Sequence, residues 1–351
     1  MKSLSTDAVV SLGKRFERFA ATECKDNSPL YYHLSKQIAR DEELLSLCSL
    51  VKEGQPVPNI FLAAVHFYIL KNKDAPLAQY YPSVTGQKNG GIPFDIFKLF
   101  VQQHEKGIIN ILQRRIVQTN VLTRCNYLLP VFLNILSGSN KPATIIDIGA
   151  SAGLNLNFDR YEYYYDNKKV YGESRVKLHC EIKEGKSPVI SPVKSAITKI
   201  GVDQNPIDTD NADDLVWLQA LIWPDQTERI SMLTEALNTA GLSAIKLVAG
   251  RSIADFRKVV DAVDPGDILI IYVTHVLYQF NDKLLFEFNN FLDSIGENRD
   301  YYFLSAEATQ AVQLKYGIAN TAVVVTTYKN KQKQETLIAE TNGHGNWIKW
   351  K

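Results

Sequence analysis

The chain has 351 residues, of which 45% are hydrophobic and 22% charged, ample material for packed cores and outside the range of disordered chains. Its 39 basic and 38 acidic residues leave a net charge of +1. That is too little field to hold a phosphate backbone or an anionic lipid surface, so neither bulk nucleic-acid nor membrane binding is expected.

Four cysteines, Cys24, Cys48, Cys125 and Cys180, lie far apart with no C-x-x-C pair. The pattern predicts neither a disulfide framework nor a thiolate zinc site and favours a reducing, cytoplasmic setting. The longest apolar stretch, residues 60–70, is too short to span a bilayer and contains His66. The opening residues carry charges where a signal peptide has its apolar region.

Residues 6–136 read as helical almost throughout. Val9, Leu12, Phe16 and Phe19 recur at three and four residues and share one helix face. Ser28-Pro29 reads as an N-cap followed by proline in the first turn, and Asp41 caps a further helix. Residues 60–70 are apolar on most sides and predict a buried central helix. A loop rich in Pro, Tyr and Gly follows over residues 75–93, then further helices carrying Phe97, Phe100, Ile109 and Leu112. Ser137, Gly138, Ser139, Asn140 and Pro142 punctuate the chain. They suggest a helical domain over 1–140 and a second domain over 141–351.

After Pro142 the rhythm changes. Residues 143–148 (ATIIDI) form the kind of run needed by a strand buried on both faces. Similar runs occur at 246–248, 267–273, 301–304 and 321–327, with helix-like segments between most of them. The alternation predicts an α/β fold with a mainly parallel, Rossmann-like sheet. Residues 321–328 and 335–339 flank a polar turn and suggest an antiparallel C-terminal hairpin. Tyr161, Tyr163 and Tyr165 alternate before the polar run at 166–169, and residues 176–182 follow. This predicts an added hairpin, an insertion near 161–195.

Asp147-Ile-Gly149-Ala-Ser151-Ala-Gly153 follows the first strand directly, at the edge where open α/β sheets bind ligands. The spacing fits neither G-x-G-x-x-G nor a P-loop, because Leu154-Asn155 stands where the third glycine or the lysine belongs. Two chemistries remain. G-x-S-x-G is the nucleophile elbow of serine hydrolases, with Ser151 as nucleophile and Asp264 or Asp267 with His344 as partners. The S-adenosylmethionine loop of class I methyltransferases, acidic-x-G-x-G-x-G, is matched by Asp147, Gly149 and Gly153, with Ser151 in place of the middle glycine.

In the methyltransferase reading an acidic residue ending the second strand takes the ribose. Asp203, in GVDQNP, is one candidate, about fifty residues beyond the loop where roughly twenty are usual. Glu181 is its rival. Ser252, after the strand at 246–248, stands at the adenine position. His275, following DILIIYV, has the pKa range of a general base near neutrality. The six histidines show no metal-ligand spacing.

The segments IGASAGLNLNFDRY, GVDQNPID, WLQALIWPDQTER and HGNWIKW, with SPLYYHLSKQIARDEELL, PNIFLAAVHF and QTNVLTRC upstream, together resemble the bacterial domain-of-unknown-function family 2332 over nearly the whole chain. The second half is similar to class I methyltransferases. The resemblance supports the methyltransferase reading of the loop, in which S-adenosylmethionine serves methyl transfer to a small molecule, or alternatively a protein, with the helical domain as a lid. It also directs attention to polar residues in apolar surroundings. Asn120 and Arg124, Arg160 and Tyr161, and Arg229 are expected to line a substrate cleft. A non-catalytic metabolite-binding protein of the same fold is the remaining alternative.

Overall fold

A computed structural model describes residues 6–87, 93–190, 195–239, 241 and 244–351. Residues 88–92, part of the expected Pro/Tyr/Gly loop, and 191–194, the end of the expected insertion, lie outside the described residues. The chain forms two compact units, Met1–Thr119 with Asp208–Thr234, and Asn120–Ile207 with Glu235–Lys351.

The first unit is helical. Helix α1 (Thr6–Phe19) runs into a π-turn at Ala20–Cys24 and is followed by α2 (Pro29–Ile38), α3 (Glu42–Cys48) and α4 (Val57–Lys71). The two expected caps are present: Tyr31 N donates to Ser28 Oγ (3.1 Å) and Leu44 N to Asp41 Oδ1 (3.0 Å). Helix α4 is the buried centre, with every residue from Ile60 to Phe67 inaccessible. Helices α5 (Pro82–Thr85), α6 (Phe94–Gln103) and α7 (Glu105–Arg114) follow.

The chain returns to this unit long after leaving it. Helix α9 (Ala212–Ala220) packs on α4 and buries Trp217 completely, with its indole N–H donating to the Ile116 carbonyl (3.2 Å). Trp223 meets Phe19 and Tyr31 edge-on and tilted, and Asp225 accepts from Ser28 Oγ. The WLQALIWPDQTER segment therefore completes a helical core. The chain passes on to the second unit within α10 (Thr227–Leu237).

In the second unit, α8 (Cys125–Leu136) precedes β1 (Ala143–Ile148), followed by a 3₁₀ segment at Leu154–Arg160. Strands β2 (Glu162–Tyr165), β3 (Lys168–Tyr171), β4 (Lys177–Glu184) and β5 (Ile197–Asp203) come next. After α10 come β6 (Lys246–Ala249), α11 (Ile253–Asp261), β7 (Ile268–Thr274), α12 (Asp282–Asn298) and β8 (Tyr301–Glu307). Helix α13 (Gln310–Tyr316) leads to β9 (Thr321–Lys329), β10 (Gln332–Thr341) and β11 (Trp347–Trp350).

The described strands form one eleven-stranded sheet in the order β3-β2-β4-β11-β10-β9-β8-β7-β1-β5-β6. From β8 to β6 all pairs are parallel. Numbered by their sequence order, these five strands lie 3-2-1-4-5, a doubly wound arrangement whose order reverses between β1 and β7. Ile146 and Ile148 of β1 and Leu269, Ile271 and Val273 of β7 pack with α11 and α12 in one core. On the opposite face Tyr272 meets Phe132 of α8 (centroids 5.2 Å apart). The sheet is thus covered on both sides, as its near-continuous apolar strands require.

The antiparallel C-terminal hairpin is present as β9–β10, with a register shift between Leu337 and Ala339. The tyrosine hairpin differs from expectation. Asp166 and Asn167, both at positive φ (47° and 63°), make a two-residue turn into β3, not into β4. Strand β4 instead pairs with β2 in parallel, and β11 joins β4 to the rest of the sheet. Among the described residues no helix is long and apolar enough to cross a membrane.

Candidate functional site

The carboxyl ends of β1 and β7 lie side by side where the strand order reverses, the position at which open α/β sheets form their ligand crevice. The glycine loop leaves β1 here. Gly149 (φ 91°), Ser151 (φ 54°) and Gly153 (φ 73°) all take left-handed backbone, which glycine adopts freely and serine at a cost.

The loop's amide hydrogens are used within the protein. Gly149 N and Ala150 N donate to the Val202 carbonyl (2.8 and 3.2 Å), and Gly153 N to Ala150 O (2.7 Å). Ser151 N donates to Asp203 Oδ2 (2.8 Å) and Ala152 N to Asn120 Oδ1 (3.1 Å). Asn120 also donates through Nδ2 to Ala150 O (3.1 Å), so both ends of its carboxamide clasp the loop. Ile207 N donates to Ser151 O (3.1 Å) and closes the far side. Gly149 is required by close packing as well as by φ, since a Cβ there would stand 2.4 Å from Val276 Cγ2.

Asp203 ends β5, which pairs directly with β1, whereas Glu181 lies on β4 opposite Trp347 of β11. Of the two ribose candidates, only Asp203 is beside the first strand. Its second oxygen, Oδ1, accepts from Asn205 N (2.9 Å). Ser252 is the N-cap of α11, in a capping box with Asp255.

Asp147 sits opposite Tyr272 across the β1–β7 pair and accepts from its hydroxyl (2.8 Å). It is wholly buried. Burial pushes its carboxyl up to about 7, with the Tyr272 hydrogen bond opposing and Asp203 adding to the rise.

His275 is also left-handed (φ 55°), just past the end of β7. Its Nε2 lies 3.3 Å from Thr321 Oγ1. Burial, the Arg124 cation and the neighbouring His344 lower its pKa to about 3. The imidazole is therefore neutral throughout the physiological range and does not have the near-neutral pKa expected from the residue type.

Arg124 organises this end of the sheet. It donates through Nε to Gly343 O (3.0 Å) and through Nη1 to Thr274 O (3.2 Å). Asn126 Nδ2 donates to Gly345 O (3.0 Å), so the 342–346 turn between β10 and β11 is tied to Arg124 and α8. Sequence reasoning missed Glu307, the last residue of β8. Its Oε1 accepts from Val276 N (2.8 Å) and Leu277 N (2.9 Å), bracing the segment that follows His275. Its Oε2 is buried without a partner among the described residues, and burial raises its pKa. The signal was available, since an acidic residue ending a core strand was what singled out Asp203.

The structure does not bring all the expected residues here. Tyr161 is fully buried and donates to Leu154 O (2.6 Å), supporting the chain beyond the loop rather than facing a substrate. Arg160 lines a separate cavity at the start of β5. Arg229 belongs to the first unit, where it donates to Gln226 Oε1 (2.5 Å). Of the acids paired with Ser151 in the hydrolase alternative, Asp267 precedes β7 and accepts from Thr144 Oγ1 (2.6 Å) at the amino end of β1. At about 3.3 Å per strand residue, that is roughly 13 Å from the carboxyl end of β1, where the Ser151 loop begins. Asp264 begins the turn before β7, its carbonyl accepting from Asp267 N (3.1 Å). Among the described residues no cluster of His, Cys, Asp and Glu could hold a metal ion.

Fold and site together define a doubly wound α/β unit with a buried polar cluster at its switch point. The chain belongs to the family described as "Uncharacterized protein conserved in bacteria (DUF2332)", whose family model matches residues 13–350. No curated protein matches it.

Proposed function

We propose that the second unit binds S-adenosylmethionine at the β1–β7 switch point and transfers its methyl group to a small molecule. The observation that carries the reading is the pair of left-handed non-glycine residues, Ser151 and His275, just beyond the ends of two adjacent parallel strands. Strained backbone at a crevice of this kind is typical of ligand-binding positions. Asp203, which ends β5 beside the loop and accepts from Ser151 N and Asn205 N, would be the group that takes the ribose hydroxyls. The donor is already activated, so the protein's part is alignment of an in-line attack and exclusion of water. A neutral His275 suits a nucleophile that needs little help in losing its proton.

A second reading, a binding protein without turnover, is favoured by one specific observation: the loop amides are spent internally and Val276 packs onto Gly149. Calorimetric titration with S-adenosylhomocysteine tests the first reading, with micromolar binding expected and hydrogen-exchange protection at 203–207 and 274–278. No heat at millimolar ligand overturns it. Binding without an accumulated substrate in the metabolome of a deletion strain selects the second reading.

A further inference from the structure

We propose that the second unit carries another ligand site, at the amino end of β5. Buried Asn157 and exposed Arg160 converge there on a polar cavity suited to a small carboxylate with an adjacent amide group. The cavity has a volume of about 480 Å³ and is walled by Leu133, Thr198 and Lys199, within the size range of small-molecule pockets.

Asn157 marks the site. It sits at a kink in the 3₁₀ segment (φ −84°, ψ 16°), is completely buried, and lines the cavity. Neither its Oδ1 nor its Nδ2 has a partner among the described residues. Buried side-chain amides are nearly always paired, and one that offers both a donor and an acceptor matches the complementary edge of another amide. Arg160 supplies the charge. Both side chains flank Gly241 in the cavity wall: a Cβ on that glycine would stand 3.7 Å from Arg160 Nε and 3.6 Å from Asn157 Oδ1. Lys199 is paired with Asp159, so the guanidinium is the surplus charge of the cavity. Its forked donors fit a carboxylate.

The start of β5 is the opposite end of that strand from Asp203, so this site stands or falls apart from the methyl-transfer reading. N-Acetylglycine, which has both an amide and a carboxylate, is the probe, and its uncharged counterpart N-acetylglycinamide is the control. Ligand-observed NMR on the full chain should show millimolar or tighter binding of the acid. Affinity should fall about tenfold or more for the neutral amide and for Arg160→Gln. Asn157→Leu should abolish binding; if that variant does not fold, Arg160→Gln at its exposed position still decides. No binding at millimolar acid, equal binding of the two probes, or unchanged affinity in Arg160→Gln overturns the proposal. The cavity would then hold only ordered water.

Discussion

Asp147 carries the sharpest consequence at the scale of one residue. Its carboxyl moves from 3.8 to about 7 on folding. Between those values the folded chain holds a proton that the unfolded chain has released, so stability falls as pH rises through that window. The shift corresponds to at most about 4 kcal/mol. Asp147→Asn retains an acceptor for the Tyr272 hydroxyl and removes the titration. Urea unfolding should show a variant whose stability relative to the parent grows between pH 4 and pH 7 and levels off above. A constant difference across that range would show that the carboxyl is not neutralised by burial. The motif made Asp147 visible in the sequence, but its partner was not, because Tyr272 reaches it only through the β1–β7 register.

Among elements, the contact of α12 with β9 is the most exacting. Gly296 faces Tyr328, and a Cβ would stand 2.2 Å from Tyr328 Cδ1. Tyr328 cannot turn aside cheaply: it stacks on Tyr301 (centroids 4.5 Å, planes 13° apart) and donates to Asp293 Oδ1 (2.8 Å). Gly296→Ala gains up to about 1 kcal/mol of helix propensity. It loses about 1–3 kcal/mol to overpacking, so thermal unfolding should show net destabilisation. The loss should be recovered in part when Tyr328→Leu is added; a stabilised single variant would mean the ring has room to move. The core strands themselves were readable, because β-branched runs such as ATIIDI and DILIIYV need burial on both faces. The placing of β4 was not. Val176, Leu178 and Cys180 alternate equally well for an antiparallel or a parallel neighbour, and Asp166-Asn167 was the real hairpin signal.

For the whole molecule, the division of the chain is the least legible feature. Composition changes near residue 140, yet the helical unit ends at Thr119 and takes back residues 208–234. Trp217 explains why: an indole this large needs a deep apolar site, and α4 supplies one. His66, in the same core, ties the unit to pH. Its Nδ1 lies 3.0 Å from the Ala220 carbonyl and its Nε2 2.8 Å from Ser83 Oγ. The carbonyl can only accept, so Nδ1 carries the proton and the serine donates to Nε2. Burial lowers the pKa from 6.5 to about 4, so the stability this neutral histidine confers is full above pH 6.5 and drains away as the pH falls towards 4. The ring's ¹⁵N shifts should stay those of the Nδ1–H tautomer until about pH 4; titration near 6.5 would place the ring in contact with solvent.

Strand β11 sits in the interior of the sheet, between β4 and β10, although it is translated long after β4. On the ribosome, the β2–β3–β4 ribbon must wait with an unpaired flank while everything from β5 to β10 emerges. Trp347–Trp350 then closes the seam. A nascent chain arrested shortly before Trp347 would present two open strand edges at once, the geometry most prone to intermolecular pairing. Trp347–Trp350 thus decides whether the strands form one continuous sheet or two halves exposed to neighbouring chains.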